Sequence, residues 1–223
     1  MPTFATQMAA ADERALIRKI QRAIGFLAPT TVDLPTTLYS AGSLIDLKTA
    51  GFLPVGIISP DGWSFGRDIE KEDIDALGYA SPVRSDTTRV ARSVSFTPLE
   101  KGRRHMLELQ LGMDLSGVTQ DPNTGEIVID EPDLPVNAEY RLLVLGDDGP
   151  AAENWILGKG FGRVKLASSA EEVWGREGSV SSQITLDIST DDEIGTPVRH
   201  FMAGTGAVTH KDVLGFTQAV AGP

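Results

Sequence analysis

Cysteine is absent from the 223 residues, which removes disulfides and thiolate metal sites from consideration. This suits a reducing place of synthesis such as a cytosol. Long apolar runs are missing as well. No stretch approaches the ~18 consecutive apolar residues that a membrane-crossing helix needs. Near the N-terminus Asp12, Glu13, Arg14, Arg18, Lys19 and Arg22 interrupt any apolar region of the kind found in signal peptides. Histidine is scarce: His105, His200 and His210 do not pair with a second ligand at metal spacing, and His105 sits in a basic cluster that repels cations. No serine lies in a Gly-x-Ser-x-Gly elbow. The neighbouring carboxylates Glu72, Asp73 and Asp75 read as a solvated helix face rather than an acid–base pair. The 3 Trp and 3 Tyr are scattered, against the exposed aromatic cluster that a carbohydrate-binding module wants. No chemistry converges anywhere.

Positive charge is also in short supply. Twenty basic residues against 31 acidic ones give a net charge of −11, which disfavours tight binding to phosphate backbones. The imbalance is local: Asp114, Asp121, Glu126, Asp130, Glu131, Asp133, Glu139, Asp147 and Asp148 are opposed within their stretch only by Arg141. Solvated loops and protected strand edges are the plain explanation for such a stretch. A surface that must repel DNA is the sharper one.

What the chain does have is core material. Its hydrophobic fraction of 41% is too high for a disordered polymer. Ala15, Leu16, Ile20, Ala23 and Ile24 fall at helical spacing and predict an amphipathic helix within residues 11–24. Pro29 and Pro35 bracket a loop, and Pro54 interrupts a short strand between Gly51 and Ile58. The stretch from Ser59 to Asp114 reads as an assembly module. It opens on the Pro60-Asp61-Gly62 turn and the aromatic pair Trp63 and Phe65. Ile69, Ile74 and Leu77 predict a short helix that stops at Gly78. Val90, Val94 and Phe96 share a strand parity that ends at Pro98. Leu107, Leu109, Leu111 and Met113 alternate with Glu108, Gln110 and Asp114, and predict a half-buried strand.

Further on, Asp121-Pro122-Asn123-Thr124-Gly125 is a turn signal, with strands expected on either side and Ile127 and Ile129 on one face of the second. Tyr140 to Leu145 is apolar apart from Arg141 and reads as a buried strand. Trp155–Leu157 and Phe161–Leu166 read as two strands, so Gly158-Lys159-Gly160-Phe161-Gly162 is expected to be the turn between them. It is not a phosphate loop, because no helix-opening Gly-Lys-Ser/Thr follows. Val180, Ser182, Ile184, Leu186 and Ile188 alternate with polar residues, and His200-Phe201-Met202 with the later glycines reads as an extended arm. Many short strands with one or two helices predict a mainly β fold, a β-sandwich or barrel with a flanking α-helix, extended N- and C-terminal arms and a long loop.

An ordered set of short motifs carries a resemblance. Ala15-Leu16-Ile17-Arg18-Lys19 precedes Ile24-Gly25-Phe26-Leu27-Ala28-Pro29 and Leu34-Pro35. Gly56 and Ser59-Pro60-Asp61-Gly62-Trp63 follow, then Pro82-Val83-Arg84-Ser85-Asp86 and Val94-Ser95-Phe96-Thr97. Glu100, Arg103 and Arg104 precede Leu107-Glu108-Leu109, Gly112-Met113-Asp114-Leu115-Ser116 and the late Phe201-Met202-Ala203-Gly204. In this order the chain resembles the major tail (tail tube) proteins of long-tailed bacteriophages, especially those of actinobacteria. The resemblance implies one tail tube domain over residues 1–223, with an N-terminal arm and helix at about 1–28 and a C-terminal arm at about 203–223.

The resemblance also implies a structural protein of the virion tail, assembled in the host cytoplasm, without enzyme activity or cofactor. Its partners would be itself, in stacked hexameric rings, a tape-measure protein, and the tail terminator and tail tip proteins. DNA would pass without specific binding, and no membrane would be involved. Trp63, Phe65, Arg84, Phe96, Glu100, Leu109 and Leu111 are the assembly or core candidates, and Asp114, Asp121, Glu126, Asp130, Glu131 and Asp133 the candidates for lumen charge. The alternatives are a tail-terminator or head–tail connector subunit, or a non-enzymatic β-sandwich binding module.

Overall fold

The computed structural model describes residues 2–136, 138–176 and 178–218. Its frame is β7 (Tyr140–Asp148), buried on both faces over most of its length because its sequence is apolar at both parities. β1 (Arg22–Pro29) lies antiparallel to β7 on one side, pairing Arg22 with Asp147 and Pro29 with Tyr140. The two-residue β4 (Leu53–Pro54) extends the sheet beyond β1. On the other side of β7 runs β8 (Trp155–Ser169), a strand of 15 residues long enough to serve two neighbours. Its first half pairs β10 (Val198–Ala203), and its second half pairs β9 (Ile184–Ser189). β9 pairs β6 (Arg84–Phe96), and β6 pairs β5 (Ser64–Ile74) at the edge. Every pairing is antiparallel, and a separate two-stranded ribbon joins β2 (Tyr39–Ser40) to β3 (Ser43–Leu44).

The sheet rolls up, and the chain between 53 and 59 holds it closed. The Val55 amide donates to the Gly25 carbonyl on β1, while Ser59 N–H donates to Thr97 O and Leu99 N–H to Ile57 O beyond the end of β6. One segment thus hydrogen-bonds to both margins. Inside the roll Leu27, Leu142, Val144, Phe161, Val164, Ile184, Leu186, Val94 and Phe96 form one core. Helix α2 (Arg104–Leu111) caps this core with Met106 and Leu109. Outside it Leu143 and Leu145 form a second core with Leu34, Leu38, Leu47 and Phe52, carried by the loop after β1. The architecture is therefore mainly β, a partly closed roll with a flanking helix.

Several sequence expectations give way. The 11–24 helix is not there: α1 occupies Phe4–Ala11, a single 3-10 turn Arg14–Leu16, and residues from Arg22 onward belong to β1. Eight cross-strand pairs with β7 outweigh the local helical spacing. The expected strand at 107–113 is helix α2. Its Leu, Glu, Gln and Met residues are strong helix formers without β-branching, and Gly112 ends it in the left-handed conformation at φ 61°. The expected helix at 69–77 is strand β5, held by pairing with β6 across a bulge at Glu70/Lys71, and Gly78 lies in the connecting turn. No strand flanks the 121–125 turn, although its Asx geometry forms, with Asp121 accepting from the Asn123 and Thr124 amides at 2.8 Å each. Phe201 and Met202 lie within β10 rather than an arm, and α3 (Thr205–Thr209) follows.

Gly158, Gly160 and Gly162 sit mid-strand in β8, not in a turn, and all three face the outer core. A Cβ on Gly160 would come within 3.0 Å of Leu34, and one on Gly158 within 2.9 Å of Leu145. The alternating glycines let the covering loop and Phe201 lie directly on the sheet. Lys159 and Phe161, of opposite parity, point to the inner side.

Candidate assembly surfaces

The β5–β6 hairpin is the least covered part of the fold. All eleven residues of β5 are exposed, as are Arg84 to Arg89 on β6. Beyond its root the ribbon has no second layer, and its tip displays Leu77, Tyr79 and Val83. The surface charges cancel locally, as Arg89 meets Glu70 at 3.0 Å and Arg84 meets Asp86 at 2.6 Å. A two-stranded ribbon is marginal alone in water, and β5 presents a row of unpaired backbone groups.

The sequence-selected residues sort around the root of this hairpin. Phe96 is buried in the inner core, and Trp63 stacks on it with ring centroids 4.3 Å apart. Trp63 also closes over Gly25, whose missing side chain makes the room. Phe65 stacks on Phe161 at 5.9 Å, and the Lys159 ammonium lies over its ring, 3.8 Å from the centroid. Glu100 is a staple: its carboxylate accepts from the Ile57 amide at 2.8 Å and from Arg103 Nε at 2.6 Å. These bonds hold it below the usual carboxylate range. Leu109 is buried on α2, whereas Leu111 is only partly covered, as the helical period dictates. Arg84 is exposed on the hairpin, away from the others.

The charge candidates lie together on one loop. From Met113 to Pro135 the chain forms neither helix nor strand, and its ends are brought together where the Val136 amide donates to Gly112 O at 2.6 Å. Asp114 caps its own turn through Ser116, and Asp121 does so through Asn123 and Thr124; the backbone amides hold both carboxyls low. Glu126, Asp130, Glu131 and Asp133 are exposed, with no ion pair among the described residues. Asp148 is different. It is largely buried and accepts from the Lys19 amide at 3.1 Å, while Arg18 approaches at 3.5 Å.

Three features escaped the reading of the sequence. The first is the buried guanidinium of Arg141, which donates to Val32 O at 2.6 Å, Glu193 at 2.7 Å and the buried Asp191 at 3.3 Å. A lone arginine in an apolar strand was the available signal. The second is an open groove of ≈1220 Å³ between the 20–26 segment, the 54–63 segment and the start of β8, walled by Ile57, Trp63, Phe65, Leu157 and Met202. The third is α1. It is charge-free, self-capped by reciprocal hydrogen bonds between Thr3 and Thr6, and exposed throughout, with Phe4 and Met8 on one face. Among the described residues no group of His, Asp and Glu could hold a metal ion, and no helix is long and apolar enough to cross a membrane.

No family profile matches the sequence, and no curated protein is significantly similar to it. Solved structures with a similar chain path include the tube-terminating cap of the anti-feeding prophage, at 12% identity and a TM-score of 0.42, over 86% of this chain and 97% of that one. The tail of an empty GTA particle with C6 symmetry is similar at 10% identity and a TM-score of 0.34, over 66% and 89%. The sheath–tube complex of an extracellular contractile injection system, PVC, in its extended state matches at 10% and 0.41, over 91% and 99%. All three TM-scores lie below 0.5, so the function of this chain has to be read from its own residues.

Proposed function

We propose that this chain is a self-assembling structural subunit of a phage-type tail tube. In this reading hexameric rings stack into a hollow tube around a tape-measure protein and conduct DNA during ejection. The observation that carries it is uncovered surface. The chain exposes 15172 Å², against about 9,900 Å² for a compact monomer of its mass. The bare hairpin, α1 and the acidic loop all display large apolar side chains, among them Leu77, Tyr79, Phe4, Met8 and Leu134, which are costly to leave in water unless a partner covers them. An edge strand as long as β5 with no cover is an invitation to pair, and in a homopolymer the partner is another copy. The resemblance of the ordered motifs supplies the tube and its partners. The acidic loop suits a conduit that must not hold DNA.

Electron microscopy of the purified protein over a range of concentrations tests the reading. Hollow tubes or stacked rings are expected. A protein that stays monomeric at every concentration and salt tried would end it.

A further inference from the structure

We propose that the groove beneath Trp63 and Phe65 is the seat of helix α1 from a second copy of the chain. The proposal rests on the self-assembly reading and assigns it a specific contact. The groove is apolar where large side chains need cover: Ile57, Phe65, Met202 and Phe216 all line it, yet all four remain exposed. Its charged lining is Arg22, which is paired with Asp147, together with Asp61 and Lys159. Lys159 hangs over the Phe65 ring, with no carboxylate partner among the described residues, and its desolvation pushes the ammonium below its ordinary range.

Helix α1 is the complement. Eight residues of helix span about 12 Å, and Phe4 and Met8, one turn apart, form an apolar edge on a body made mostly of alanine. Directly after it come Asp12 and Glu13, and neither is in an ion pair among the described residues. An apolar helix followed by two free carboxylates thus matches an apolar groove with one free ammonium. An isolated helix of eight residues has little stability of its own, so its ordered form calls for a seat.

The helix does not line its own groove. The chain behind it is fastened at the rim of the groove: Arg18 lies over the Trp155 ring at 4.2 Å, Lys19 N–H donates to Asp148, and Ile20 and Gln21 line the groove itself. A helix given to a neighbour while the groove receives from another neighbour is a head-to-tail contact, which propagates rather than closing on a dimer.

The absence of cysteine makes the test direct. The full chain carrying Met8→Cys and Met202→Cys together is oxidised mildly under assembling conditions. Peptide mapping should find a disulfide between positions 8 and 202, and denaturing gels should show a ladder of covalent oligomers. Either single variant should give dimers at most. Lys159→Glu in the double variant should slow linkage about tenfold, and adding Asp12→Lys and Glu13→Lys should restore it. A fast-migrating monomer with an internal disulfide would mean that the groove takes its own helix, and would overturn the proposal. Tubes or rings that form without any 8–202 linkage would also overturn it while leaving the self-assembly reading intact. A chain that never associates would remove both.

Discussion

Arg141 is the residue on which most of the outer layer depends. Its guanidinium fastens the Val32–Asp33 loop and the Asp191–Glu193 turn to β7, and it is itself only 2% exposed. Arg141→Met should cost ~3–5 kcal/mol, because it strands the buried Asp191 carboxylate without its cation. Arg22→Ala, which breaks an exposed ion pair to Asp147, should cost at most ~1 kcal/mol. Urea midpoints of the two variants make the comparison, and near-equal losses would contradict it. At α2 the helical period makes its own demand. Met106→Ala and Leu109→Ala should each cost ~2–5 kcal/mol, and the half-covered Leu111→Ala clearly less. A strand would instead equate Leu107, Leu109 and Leu111. His105 gives a pH signature. Burial holds its imidazole below the ordinary range, the Pro54 carbonyl that accepts from Nε2 at 2.8 Å raises it again, Arg103 lowers it, Glu108 raises it and Arg104 lowers it, with depression the net result. The unfolded chain therefore binds a proton that the folded chain refuses. This contribution is complete above the ordinary imidazole pKa of ~6.5 and is lost as pH falls from there toward the folded value. Denaturant midpoints at pH 7.5 and pH 5 should fall less on acidification in His105→Gln than in the parent, and equal falls would exclude a role for this group.

At the scale of elements, legibility followed burial. β7 could be read because a strand covered on both faces is apolar at both parities, and Val94 and Phe96 could be placed because one face of β6 enters the core. Leu107 to Leu111 misled because Leu-x-Leu-x-Leu satisfies a period of two while Met106 and Leu109 satisfy the helix; composition and Gly112 were the better guides. β5 misled for the opposite reason. An uncovered ribbon has no buried face, so its sequence carries no clean alternation, and only its partner β6 defines it. The alternating glycines of β8 gain meaning only from the loop that lies on them. In the segment before β5, by contrast, the large apolar side chains find cover within the subunit: Phe52 is fully buried in the outer core and Trp63 rests on Phe96. Exchange of backbone amides should reflect this difference. In the free subunit residues 66–74 and 84–90 should exchange fast while residues 47–55 are protected, and assembly should slow the hairpin at least about tenfold. A hairpin already protected in the monomer would contradict the assignment of this element to contacts between copies.

For the whole molecule the question is where the charge goes. Of the nine acids between Asp114 and Asp148, Asp147 and Asp148 anchor the N-terminal segment, Glu139 pairs with Arg163, and Asp114 and Asp121 cap turns. Five of them thus have local structural work. Glu126, Asp130, Glu131 and Asp133 have none, and they share a loop that holds six acids and no lysine or arginine from 114 to 136. Only Leu115 of this loop is buried in the core, and on the tube reading the field of the rest is its use: carboxylates along a conduit keep phosphate from adhering, most strongly where salt is low. Changing these four to lysine should leave subunit stability within about 1 kcal/mol, since exposed charges contribute little. Phage carrying the variant should still build tails, and should eject DNA more slowly, with the difference shrinking as ionic strength rises. Asp121→Lys makes the contrast, because it removes the acceptor of the Asn123 and Thr124 amides and should loosen the loop whatever the salt. Normal tails with unchanged ejection at low salt would put the four carboxylates on the outer wall, where they serve solubility alone.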